Sequence, residues 1–428
     1  MIAPLLAWLL LEHSSARVLA VSLGGMVVLG SSSDLGPNKV IYAGIVLLCA
    51  AISGYRLIVD PPAYLSVFRP VLWWGLAVVA VLVLSYFASP AGSDFGTFGR
   101  QSIFYLLILL GPVVGLDSGR DLRPAVVYGM IGLIGVIAAA GFAADWLDRR
   151  GVTALPFGRF VLSSLVLPAL AFGLALVMFF HARALYARML WILPIICIPI
   201  AMLVTGTRTN LIIFVAILAV LGSARKARVP IGSMIVVLFV AGAIGATLFP
   251  VVASFAVADP AFLAQRLQAA VSALSGAGDQ SLTFRQQQTE TALLMLDQSP
   301  LLGYGLGYTI PFTVDSPLLT VLRLGWVGAA VVVAFIATLS AAFLRGTRLY
   351  GPNPATTAWW GFLLVCTVNL LFGTPLEDRG FGYAVMLVTM GISAGFHGSR
   401  SSASEFAVDA DLSRSTPSGK SLRHDSVE

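Results

Sequence analysis

The chain has 428 residues, 58% of them hydrophobic and only 11% charged, which leaves too few polar groups to clothe a water-soluble globule of this size. Its net charge of +6, from 26 Lys and Arg against 20 Asp and Glu, is ordinary for a membrane protein with basic cytoplasmic loops and does not point to nucleic acid. The apolar runs are about 20 residues long and lack period-two alternation, which selects helices over a closed barrel, because every backbone polar group in hydrocarbon needs an internal partner.

In chain order, membrane-spanning helices are predicted over 17–31, 38–57, 70–88, 101–116, 124–144, 160–180, 187–205, 209–222, 230–256, 316–343, 355–374 and 380–396. The expected fold is therefore an all-α integral membrane protein with about 12 transmembrane helices. The opening MIAPLLAWLLLEHSSARVLAV has no basic n-region and runs into a second apolar stretch, as a retained helix does and a cleaved signal peptide does not. Glu12, His13 and Arg17 interrupt the first span, and 209–222 is short. Cys49, Cys197 and Cys366 all fall inside apolar runs without CxxC or Cys/His spacing. They read as small core residues, and no metal site is expected. Gly24–Gly25 reads as a point of close helix packing.

With the N-terminus cytoplasmic, the short inner loops hold Arg56, Arg69, Arg120, Arg123, Arg183, Arg188, Arg225, Lys226, Arg228, Arg345 and Arg348. The outer loops hold the shorter set Lys39, Arg100, Arg149, Arg150, Arg159, Arg208 and Arg379. Since Lys and Arg resist translocation, this orientation is the expected one, with both termini inside. Arg149 and Arg150 sit in the polar run DWLDRRG and read as partners of Asp145 and Asp148. Arg159 and Arg208 open apolar helices with no adjacent acid, so an anionic ligand and outward snorkelling remain equal alternatives there.

The one long extramembrane segment, 257–315, is expected outside. Asp259–Pro260 is an N-cap and N1 pair for a helix through about 275. A second helix is predicted from Thr283, whose hydroxyl makes a capping box with Gln286, to the Ser299–Pro300 stop. That places Arg285 in a first turn, where free N–H groups and a guanidinium converge on one anion; pairing with Glu290 or Asp297 is the plain alternative. The run Ser299-Pro300-Leu301-Leu302-Gly303-Tyr304-Gly305-Leu306-Gly307 then reads as a tight turn, not a dinucleotide motif, since no strand precedes it. Tyr304 and Tyr308 are expected at the membrane interface. Asp315 reads as the N-cap of the next helix, or as a carboxylate that orients a hydroxyl. Glu377 and Asp378, followed by Arg379, form a rival acidic site, and Arg323 lies inside a span, where it either snorkels or serves a ligand. After 396 the chain turns polar and Ser-rich, so residues 1–396 are the membrane domain and 397–428 an expected disordered cytoplasmic tail.

Three of these segments together resemble the O-antigen ligase and polymerase superfamily of bacterial envelope glycosyltransferases: GTRTNLIIFVAILAVL (206–221), TFRQQQTETALLMLDQSPLLGYGLG (283–307) and DSPLLTVLRLGWVG (315–328). Their order and spacing around one long outer loop carry the resemblance; the first half matches only in being apolar. It implies an inverting transferase of the bacterial cytoplasmic membrane that takes a glycan from undecaprenyl diphosphate on the outer face. No cofactor, metal or nucleotide sugar is implied. On this resemblance Arg208, Arg285 and Asp315 are the catalytic candidates, and Arg159, Arg323, Arg379, Glu377 and Tyr304 the substrate-binding ones. The implied partners are the undecaprenyl-diphosphate-linked oligosaccharide, a glycan or lipid-linked acceptor, the bilayer and other polysaccharide assembly proteins. Where ligases of this superfamily carry a His-Asn pair, this chain has Asp315-Ser316, which favours a polysaccharide polymerase over a ligase. From another class, a lipid-linked oligosaccharide flippase or secondary transporter is the alternative; the absence of two similar halves stands against the transporter, whereas a flippase would also use arginines for the diphosphate.

Overall fold

The computed structural model describes residues 8–29, 36–87, 93–148, 166–182, 184–204, 280–312, 316–370, 373–378 and 380–415. Among them the helices are, in order, α1 (Ser14–Leu29), α2 (Pro37–Val59), α3 (Leu65–Phe87), α4 (Phe95–Asp121), α5 (Pro124–Asp148), α6 (Val166–His181), α7 (Leu185–Val204), α8 (Gln280–Gln298), α9 (Leu318–Tyr350), α10 (Pro354–Asn369) and α11 (Phe381–Ser415), with a 3-10 turn at Pro375–Glu377. The described residues contain no strand. Seven helices, α2, α3, α4, α5, α7, α9 and α11, are long and apolar enough to cross a membrane, and α6 is apolar but shorter. Helices also stand at the expected first and eleventh spans, as α1 and α10 of 16 residues each. The expected spans 209–222 and 230–256, and the helix after Asp259, lie outside the described residues.

Start signals set several helix ends. Asp94 caps α4 by accepting the Thr97 N–H at 2.6 Å, and Asn353 caps α10 by accepting from Ala355 at 2.8 Å with Pro354 in the first turn. Several expected boundaries differ, and three of them bear on the readings above. Helix α8 opens at Gln280 and not at Thr283, so Arg285 stands in its second turn, beyond the free N–H groups of the first. The N-cap of α9 is Pro317, in place of Asp315. Helix α11 carries a helical backbone to Ser415, well past the 396 boundary. Extending an existing helix through EFAVDADL needs no new nucleus.

The core is built on α4 and α11, whose apolar windows are 72% and 83% buried, against 33% for α2 and α3 and 28% for α7. These two run parallel in intimate contact. Gly111, Gly115 and Gly119, four residues apart, turn one face of α4 to α11: a Cβ on Gly111 would lie 3.1 Å from the Gly382 carbonyl, and one on Gly115 2.5 Å from that of Met386. Small residues at that spacing let backbones approach, and packing is what holds helices together where lipid removes the hydrophobic drive. Gly25 plays the same part for α1. A Cβ there would meet the Tyr42 hydroxyl at 2.5 Å, and that hydroxyl bonds Tyr383 of α11 at 2.6 Å. Cys49 and Cys366 are buried and Cys197 partly so.

Contacts also give directions. Helix α9 meets α3 antiparallel, with Phe343 on Phe68 and Gly328 on Val81. Helices α5 and α7 are parallel, with Trp191 over Gly132 and Ile198 over Gly135. Helix α5 opposes α11, with Gly391 near Ile131 and Gly395 near Tyr128. The C-terminal end of α7 and the start of α9 therefore share one end of the bundle. It is opposite the basic end, where α2 and α4 finish with Arg56 and Arg120.

Candidate functional site

At that far end, α9 is broken. Gly325 has φ 66 and ψ 177, a conformation essentially confined to glycine. At 1.5 Å per residue an unbroken helix of 33 residues would reach about 50 Å, against a hydrocarbon core of about 30 Å, so the break divides an approach segment from the span proper.

A break exposes backbone groups that lipid cannot satisfy. The glycine-rich turn after α8 answers four of them. Tyr304 N–H donates to the Leu322 carbonyl at 2.7 Å and Gly305 N–H to that of Arg323 at 2.9 Å, while the Trp326 and Val327 N–H groups donate to Pro300 (3.0 Å) and Leu301 (3.3 Å). Gly303 and Gly305, at φ 67 and 81, make the turn possible. The turn is seated on the other side by α4: Asp94 N–H bonds the Gly307 carbonyl at 3.0 Å, and the Gln101 amide reaches Tyr308 O at 3.4 Å.

A small second core lies beneath, formed by Ala292, Leu296, Tyr304, Val321 and Leu322. Tyr304 belongs to it: its hydroxyl lies within hydrogen-bonding distance of Met295 O, at 3.0 Å, and Gln298 Oε1, at 2.9 Å, and can donate to either. Burial, then the neighbouring Tyr308, push its phenol up from its usual range. The Thr97 backbone bond holds the Asp94 carboxyl below its usual range.

Two residues before the break, Arg323 is ion-paired through Nη1 to Oε2 of Glu377, with the two side chains 16% and 6% exposed. The other carboxylate oxygen accepts the Tyr105 hydroxyl at 2.9 Å. Arg323 Nε and Gln101 Oε1 are buried without a hydrogen-bond partner. Of the eight residues singled out from sequence, the structure thus brings together Arg323, Glu377 and Tyr304. Arg285 is placed by its helical backbone, and Arg159, Arg208, Asp315 and Arg379 lie outside the described residues. Tyr105 and Gln101 were not legible as site residues. A one-turn spacing in the first half of α4 aligns them on one face, but no motif marks them.

A second polar cluster occupies the basic end, about 18 Å along α4 from Tyr105. Asp117 and Arg17, both fully buried, pair at 2.7 Å, and Arg56 approaches the same carboxylate at 3.4 Å. Arg17 also donates to the Leu10 and Leu11 carbonyls at 2.9 and 3.2 Å. Around them, Arg56 pairs with Asp121 at 2.9 Å and Arg120 with Asp60 at 2.6 Å. Arginine and aspartate are matched in number here, and the cluster ties α1, α2 and α4 together.

Comparison with protein-family models and with curated proteins yields no match to the chain.

Proposed function

We propose that the protein is a membrane glycosyltransferase that polymerises or transfers undecaprenyl-diphosphate-linked oligosaccharide units, a polysaccharide polymerase in preference to a ligase. The basic end faces the bacterial cytoplasm with both termini, and the end with the broken helix faces outward. One observation supports this above the others. The three-glycine turn after α8 docks on the break in α9 beside Arg323 and Glu377, which joins two of the segments that carry the sequence resemblance in one place at the bundle end assigned to the outer face.

In the proposed reaction an acceptor hydroxyl attacks the anomeric carbon of the donor sugar from the face opposite the diphosphate. The new C–O bond forms as the bond to the lipid diphosphate breaks, and the hydroxyl proton passes to a base, for which Asp315 is the candidate. The departing diphosphate needs charge stabilisation and not protonation, the part assigned to Arg208 and Arg285. The test is to incubate the purified chain in detergent with lipid-linked donor and acceptor. Elongated or transferred glycan is expected; unchanged glycan length with altered sidedness in vesicles would make the protein a flippase.

A further inference from the structure

We infer that Arg323 heads an anion-binding site of its own in which Glu377 is an internal, displaceable ligand, and that a diphosphate group binds by exchanging with this carboxylate. The inference rests on the proposed function for the identity of the anion and adds to it a binding group in the described part of the bundle.

The argument begins with the guanidinium. A planar guanidinium and an oxyanion match best as two parallel N–H···O bonds. Glu377 meets Arg323 through Nη1 alone, and Nε stays buried with no partner. One N–H edge of the fork is thus uncommitted in a site where an unmade hydrogen bond is costly. The Nε–H lies beside Nη2, so a tetrahedral phosphoryl group can take Nε and Nη2 as two parallel bonds, and its charge then competes with the carboxylate held on Nη1.

The second step concerns which member can move. Tyr105 stands on α4, a long membrane-type helix, and Arg323 on the approach segment of α9, where its carbonyl is pinned by Gly305 N–H at 2.9 Å. Glu377 stands at the end of a three-residue 3-10 turn, between Gly373 and Gly380. Swinging this carboxylate aside changes a turn and leaves both helices intact. Its one other described hydrogen bond is to the Tyr105 hydroxyl at 2.9 Å, so Tyr105 is a positioning residue that holds Glu377 on Arg323.

The third step is the ligand's chemistry. A neutral sugar hydroxyl cannot compete with a carboxylate for a cation in a partly buried site, whereas an anion of equal or greater charge can. Arg323 is 16% exposed, so part of the guanidinium side chain lies open at the protein surface. A carboxylate parked on the cation also removes the cost of an unpaired buried charge before the ligand arrives. The consequence is a raised apparent dissociation constant, the intrinsic one divided by the fraction of molecules in which Arg323 is released.

The experiment measures binding of inorganic diphosphate, and separately of farnesyl diphosphate, to the full chain in detergent by calorimetry. The two arms separate free diphosphate from a lipid headgroup. Glu377→Gln is expected to bind diphosphate about tenfold or more tightly than the parent, because the competitor is gone. Tyr105→Phe is expected to tighten binding by a smaller factor, and Arg323→Gln to weaken it about tenfold or more. Tightening in the farnesyl arm alone would assign the site to a lipid-borne diphosphate. Unchanged or weaker binding by Glu377→Gln, or binding by Arg323→Gln equal to the parent, overturns the inference. Should Glu377→Gln fail to fold, Tyr105→Phe decides, and unchanged affinity in it overturns the inference alone. Glycan transfer is not read here, so tighter diphosphate binding without any transfer by the parent protein would leave this site standing and remove the proposed function.

Discussion

Gly303 and Gly325 cross so closely that a Cβ on Gly303 would sit 2.5 Å from the Gly325 nitrogen, and both hold a positive φ. A Cβ on Gly325 would in turn run into the Leu301 carbonyl. The crossing is what allows the turn to satisfy the broken helix. Gly325→Ala is therefore expected to cost at least about 1–3 kcal/mol from backbone strain, with further loss from the carbonyl collision. The midpoint of thermal unfolding in detergent measures it. A variant as stable as the parent would mean that the break is not specified by this contact.

Arg17 and Asp117 give a second expectation. Removing one partner leaves a charge stranded in the protein interior, so Arg17→Met or Asp117→Leu alone is expected to cost about 3–5 kcal/mol. The double variant should recover most of that loss, because two apolar side chains replace two mutually compensated charges. Arg56 would keep its 2.9 Å pair with Asp121. A double-variant loss equal to the sum of the two single losses would show that the residues act independently.

The arginines of the proposed donor site are tested by chemistry, not by charge. Arg285→Lys keeps the charge but lacks the planar fork, and is expected to lose most transfer activity at equal protein level; Arg285→Ala should lose about 10²-fold or more. Since Arg285 lies in the second turn of α8, the expectation now rests on the guanidinium without the first-turn N–H groups. An Arg285→Lys variant of full activity removes the residue from the site. Arg208→Ala is expected to insert normally and to assemble little glycan, measured as polymer length.

Topology is tested separately from catalysis. A membrane-impermeant thiol reagent added outside is expected to label Ser275→Cys and to miss Ser415→Cys. The native cysteines all stand on apolar helices, two of them buried, and give little background. The reverse labelling would place the broken helix in the cytoplasm and exclude an outer-face reaction.

Hydrophobic run length alone located the helices of the described bundle, because lipid admits few other solutions for a long apolar segment. The tight turn at Gly303 to Gly307 was likewise readable, since alternate glycines after a Pro stop have few other uses. Helix ends were less so. Thr283 and Asp315 have the right side chains for caps, yet α8 starts at Gln280 and α9 is capped at Pro317, because end positions follow what the helix packs against as well as local capping chemistry.

What each buried charge does was decided only by tertiary structure. Arg17 reads in sequence as an interruption of the first span, and becomes the partner of an aspartate 100 residues away. Arg323 reads as ligand-binding or as snorkelling; in the fold it is paired with Glu377, 54 residues on, whose carboxylate also accepts from Tyr105, 272 residues before it. Hydropathy reports each segment's free energy in lipid and is additive along the chain. The pairing of charges depends on which helices become neighbours, and here the close approach of α4 and α11 at Gly111, Gly115 and Gly119 sets that arrangement.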